Sequence, residues 1–128
     1  KDVLLFHWKE ESQHAIVDEL EWRREDARLS DAERDHGVDR LIALVKAVDT
    51  LLQSQASADT KYFLQRSARA TSASELARIW EALLKDYRWQ FLLCGTQDRR
   101  FNDILRSLVS QAQYDRVAAA LEPLRAPH

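Results

Sequence analysis

Residues 30–52 read Ser30-Asp31-Ala32-Glu33-Arg34-Asp35-His36-Gly37-Val38-Asp39-Arg40-Leu41-Ile42-Ala43-Leu44-Val45-Lys46-Ala47-Val48-Asp49-Thr50-Leu51-Leu52. Ser30 followed three residues later by Glu33 is a capping box. The Ser oxygen accepts from the third residue's N–H, and the Glu carboxylate reaches back to the cap N–H. Beyond the box, Val38, Leu41, Val45, Val48 and Leu52 recur every three or four residues, which is one stripe of an α-helix. Tyr62 continues the same phase. The pattern predicts a helix from Asp31 to about Ser67, about 54 Å long at 1.5 Å per residue. Any bend or break is expected in Ser54-Gln55-Ala56-Ser57-Ala58-Asp59. There Gln55 and Asp59 read either as a polar pair in a helix interface or as a solvated notch.

The same box recurs at Ser72-x-x-Glu75 and at Ser110-x-x-Gln113. A first helix is predicted over Asp2–Asp26. A third runs over Ala73–Cys94 with Leu76, Trp80, Leu83, Tyr87 and Phe91 inward, Gly95 supplying a left-handed C-terminal residue. A shorter pair follows at about Asp98–Val109 and Gln111–Leu121, stopped by Pro123. Only two Gly and two Pro occur in 128 residues, too few for the turns of a sheet protein, and period-2 alternation is missing. The predicted fold is all-α: an up-and-down antiparallel helical bundle of three long helices plus a short C-terminal pair, forming one domain over residues 1–128.

Charge and composition exclude several function classes. Lys and Arg number 19 against 21 Asp and Glu, a net charge of −2, so no basic surplus marks a nucleic-acid or anionic-lipid surface. No apolar run approaches the roughly 18 residues of a membrane helix. The single Cys94 excludes an internal disulfide and fits a reducing compartment, giving a cytoplasmic expectation. Cys94 has no neighbouring His to activate it, and no phosphate-cradling Gly-rich loop, Ser-His-Asp order or Cys-x-x-Cys occurs. The chain contains no Met and starts at Lys1 within an apolar pattern. It is therefore expected to be the C-terminal portion of a longer polypeptide.

The chemistry concentrates in the first helix, Leu4-Leu5-Phe6-His7-Trp8-Lys9-Glu10-Glu11-Ser12-Gln13-His14-Ala15-Ile16-Val17-Asp18. His7, Glu11 and His14 are spaced i, i+4, i+7, so they share one stripe, with Asp18 one turn further on. Two imidazoles and a carboxylate on one face form a ligand set that favours iron, manganese or zinc over calcium or magnesium. Asp18 would orient His14 by accepting its free ring N–H. Residues 3–8 are apolar nearly all round, a pattern of central, buried helices. Buried His and Glu need partners, and a metal ion is one. A solvated polar face is the competing reading of the same residues.

Glu-x-x-His within an apolar helix resembles the ligand motif of the ferritin-like di-iron carboxylate bundles. The longer His-x-x-x-Glu-x-x-His form resembles the last ligand helix of di-iron N-oxygenases of the p-aminobenzoate oxygenase type. The resemblance covers about twenty residues. It implies that His7, Glu11 and His14 bind iron (or manganese), and that the chemistry is O₂-dependent oxidation or oxygenation. It also requires Glu from two further helices and a second Glu-x-x-His. Glu33-Arg34-Asp35-His36 offers that string. In a hairpin turning near residue 28, however, His14 faces Ile42, Glu11 faces Val45 and His7 faces Asp49. Glu33 and His36 then lie roughly 9 Å or more from His14. Asp49 is the one acid placed to support the site from this chain. The remaining ligands are expected from upstream helices or a partner chain.

Two rival readings accompany this one. The first is a metal-free interaction or structural bundle, as a homodimer that buries the apolar face of the first helix. The second is a structural metal site without turnover. Tyr87-Arg88-Trp89-Gln90-Phe91 reads as core rather than as a cofactor box.

Overall fold

A computed structural model describes residues 2–67 and 70–125. The described chain is helical with no strand, in the order α1 (Asp2–Asp26), α2 (Asp31–Arg66), α3 (Ala73–Arg88), a π-helical turn (Trp89–Leu93), α4 (Cys94–Thr96), α5 (Arg99–Leu108) and α6 (Gln111–Arg125). All three capping boxes form. Ser30 and Ser72 each accept from the N–H three residues on, and Glu33 and Glu75 accept from the cap N–H at 2.8 Å. Ser110 and Gln113 make the same exchange. Glu33 is held below the ordinary carboxylate range by these bonds from Ser30.

The spine of the fold is α2, which passes unbroken through Ser54–Asp59 because each hydroxyl there bonds a carbonyl of the preceding turn rather than breaking the ladder. Its first half carries Val38, packed with Leu105, Val117 and Leu121 of α5 and α6 and flanked by Leu41, Ile42 and Val45. Its second half carries Leu52 and Ala56, packed with the fully buried Leu84 of α3 and flanked by Val48, Trp80, Leu83 and Tyr87. The stripe read from residues 38–52 is thus the seam of two small cores. Tyr62 and Phe91 leave it. Both are exposed, Tyr62 lying under the Arg66 guanidinium and Phe91 edge-on to Tyr87.

Two predicted helix ends move. The helix begun at Ala73 runs through the π turn to Thr96, and Gln97 N–H closes it on Leu93 O and Cys94 O. Gly95 therefore keeps an ordinary φ, and no described residue has a positive one. Likewise Pro123 lies inside α6. So close to the end its missing N–H forfeits one bond, to the Ala119 carbonyl, and leaves the helix standing.

The largest departure concerns α1, which has no buried residue. Only its last two turns are anchored. Trp22 joins the Val38 core and stacks near Phe101 (centroids 6.0 Å). Arg100 Nε donates to Glu19 at 2.7 Å, Arg23 Nη1 donates to Ser107 Oγ at 3.2 Å, and Arg34 Nε donates to Asp26 at 2.8 Å across the turn. Residues 2–18 carry Val3, Leu4, Leu5, Phe6, Trp8, Ile16 and Val17 largely exposed. The expectation that α1 is a buried central helix is therefore not met among the described residues. Among the described residues no element packs on its apolar collar, because α2 turns its core stripe to α3, α5 and α6 instead.

Candidate metal row and an unforeseen cleft

His7, Glu11 and His14 do form a row. Glu11 Oε1 lies 3.9 Å from His7 Nε2, and Oε2 lies 3.7 Å from His14 Nδ1. The two carboxylate oxygens are thereby divided between the imidazoles, one each. The side chains are 67%, 58% and 60% exposed, respectively, so in this state water, not protein, surrounds them. Among the described residues no group of three or more His, Cys, Asp or Glu is arranged to hold a metal ion as it stands. The donor set has the right chemistry for a transition ion but supplies one wall only.

Asp18 is exposed and receives no hydrogen bond from His14 among the described residues, so the orienting role expected for it is not seen. Asp49 is elsewhere altogether. It is buried at the α2–α3 seam, where Arg88 Nε donates to Oδ1 at 2.6 Å, Arg88 Nη2 to Oδ2 at 3.0 Å, and Gln53 Nε2 to Oδ2 at 2.7 Å. The hairpin geometry that set Asp49 opposite His7 fails because α1 does not lie along α2. Glu33 serves its capping box and His36 is exposed, as the spacing argument required.

Sequence reasoning missed Arg88. Its signal was a charged residue four positions after Leu84, facing an acid spaced four from Val45 and three from Leu52. Along the same seam Tyr87 Oη donates to Asp59 Oδ2 at 2.7 Å and Gln55 Nε2 donates to it at 2.8 Å. The interface reading therefore holds for Asp59, while Gln55 stays exposed and, among the described residues, bonds only to Asp59 on its own helix. The phenol and amide donors keep the Asp59 carboxyl below its usual range, and the carboxylate raises the Tyr87 phenol.

A cleft of about 620 Å³ opens where the π turn joins α3 to α6. Arg78, Ala82, Lys85, Trp89 and Leu93 line it from α3 and the π turn, and Leu124 and Arg125 line it from α6. Single π turns inserted in α-helices occur frequently at functional sites. No described residue combines a nucleophile with a base here, and Cys94 is exposed, its thiol donating to Gln90 O.

Comparison with known proteins returns no matching family model, no matching curated protein and no matching solved structure. The described helices include none long and apolar enough to cross a membrane.

Proposed function

We propose that α1 is the ligand-bearing helix of a ferritin-like, non-haem metal protein, and that its site closes only when helices from outside these 128 residues cover it. The observation that carries this reading is the coincidence of two features on one helix. His7, Glu11 and His14 are aligned with one carboxylate oxygen towards each imidazole, and the same turns carry an apolar collar that none of the described residues covers. The accessible surface is 9520 Å², against roughly 7,000 Å² for a compact monomer of this mass. The exposed residues of α1 contribute to that excess. Covering it would strip water from Glu11 and both imidazoles, and their desolvation is offset when a cation takes the place of that water.

In the covered state His7, Glu11 and His14 would be the residues of this chain that hold the metal. Iron or manganese held by such carboxylate and imidazole donors supplies O₂-dependent oxidation chemistry. The protein's own contribution is to hold three donors on one rigid helix and to exclude water through Leu4, Leu5, Phe6 and Trp8. Further carboxylates must come from the covering helices, because no acid of α2 reaches the row.

The uncovered collar also favours a second reading, in which α1 docks on a partner or a second copy without metal. The two separate by experiment. Metal content of protein purified from iron- and manganese-supplemented cells should fall in His14→Ala if the row binds metal. Association measured by sedimentation in a chelator should fall in Trp8→Glu while His14→Ala stays unchanged if docking alone is the role.

A further inference from the structure

We propose that the cleft between α3, the π turn and α6 binds a small apolar monocarboxylate, with its hydrocarbon body against Trp89, Leu93 and Leu124 and its carboxylate between Arg78 and Lys85. This inference stands apart from the metal reading, since no residue of α1 lines the cleft.

Four features carry it. Arg78, Ala82, Lys85 and Trp89 are spaced i, i+4, i+7, i+11 and share one face of the helix. The small Ala82 leaves a gap between the two cations. Neither Arg78 nor Lys85 has a hydrogen-bond or ion-pair partner among the described residues, so both charges are available to a ligand. By contrast, Arg88 at the base is already matched by Asp49 and acts as wall rather than as ligand. Trp89 presents a half-exposed indole, 51% accessible, on the same face. The volume of about 620 Å³ falls within the roughly 300–1,000 Å³ range of small-molecule sites.

The remaining charges set the ligand's own charge. Glu81 and Asp86 also line the cleft from α3, and Arg125 from α6. With Arg88 held by Asp49 and Arg125 within 4.0 Å of Glu122, the cations left open are Arg78 and Lys85, matched in number by Glu81 and Asp86. A monoanion is therefore favoured over a dianion, which the two acids repel. An apolar body is required because Trp89, Leu93, Leu124 and Ala82 offer it no hydrogen bond beyond the indole N–H.

Isothermal titration of the whole chain with 2-naphthoate, 2-naphthol and 2-naphthylmethylammonium at neutral pH tests it. Naphthoate is expected to bind about tenfold or more tighter than naphthol, the scale of one charge-assisted hydrogen bond. Lys85→Gln and Arg78→Gln are each expected to remove most of that preference. Trp89→Ala should weaken both naphthoate and naphthol, and Arg99→Gln, on the exposed side of α5, should change nothing. Equal binding of naphthol or of the ammonium compound, unchanged naphthoate affinity in Lys85→Gln, or no heat up to about 1 mM naphthoate would each overturn the proposal.

Discussion

Asp49 and Arg88, one on α2 and one on α3, form a buried two-point ion pair, Nε to Oδ1 at 2.6 Å and Nη2 to Oδ2 at 3.0 Å. The paired fork fixes the register of two helices whose apolar seam of Leu52, Ala56 and Leu84 is small. Removing one partner strands the other charge in the seam. Asp49→Leu is expected to lower unfolding stability by about 3–5 kcal/mol. The double variant Asp49→Leu, Arg88→Met should lose much less than the sum of the singles. Urea unfolding of the four proteins of this cycle checks both expectations.

The Tyr87–Asp59 contact makes stability depend on pH at both extremes. Asp59 has a folded-state pKa below its unfolded value near 3.9, so its contribution is complete above that value and is lost as pH falls through the folded pKa. Tyr87 is shifted the other way. Its contribution is complete below about pH 10 and disappears as pH rises through the raised folded pKa. The difference in urea midpoint between wild type and Tyr87→Phe should therefore be flat across neutral pH and shrink in both acid and strong base.

Exposure divides the large apolar residues into two classes with different expected effects. Leu84→Ala opens a void in the α2–α3 core, for which about 2–5 kcal/mol is expected. Phe6→Ala and Trp8→Ala, out in solvent, should stay within about 0.5 kcal/mol of wild type. Thermal or urea unfolding of the isolated chain reads this directly. A large loss for Trp8→Ala would mean that α1 is covered in solution, by a second copy or otherwise.

Each capping box has a bounded, separable role. Ser30→Ala and Ser72→Ala should each cost about 1 kcal/mol, because each strands a first-turn N–H and removes the hydroxyl bond to its Glu while the backbone bond stays. Since Glu33 also loses the Ser30 hydroxyl bond, the larger of the two that depress its pKa, Ser30→Ala should show a weaker fall in stability on acidification than wild type.

Most of the helix boundaries were legible because caps and apolar spacing are local signals. Ser30, Ser72 and Ser110 announced three starts, and the Val38–Leu52 stripe announced which face of α2 is covered. What was not legible is which helices meet. The stretch Leu4–Trp8 reads as buried because it is apolar all round, yet burial is a property of neighbours, and none of the described residues comes to it. Asp49 shows the same limit from the other side. The assumed hairpin set it opposite His7, and only the position of Arg88 on α3 reveals its partner. Gly95 and Pro123 failed as stop signals because neither obliges a helix to end. Gly tolerates ordinary helical φ, and a Pro in a final turn removes little.

The metal row was legible as spacing and remains a proposal as chemistry. Cobalt(II) titration of the isolated chain, followed by NMR of the histidine ring protons, tests it most directly. The account expects the His7 and His14 rings to respond together, saturating at no more than one ion per chain, while His36, equally exposed but outside the row, is left unaffected. It expects Glu11→Gln to abolish the joint response. His36 responding as strongly as His7 and His14, or the two row imidazoles titrating independently of Glu11, would contradict it.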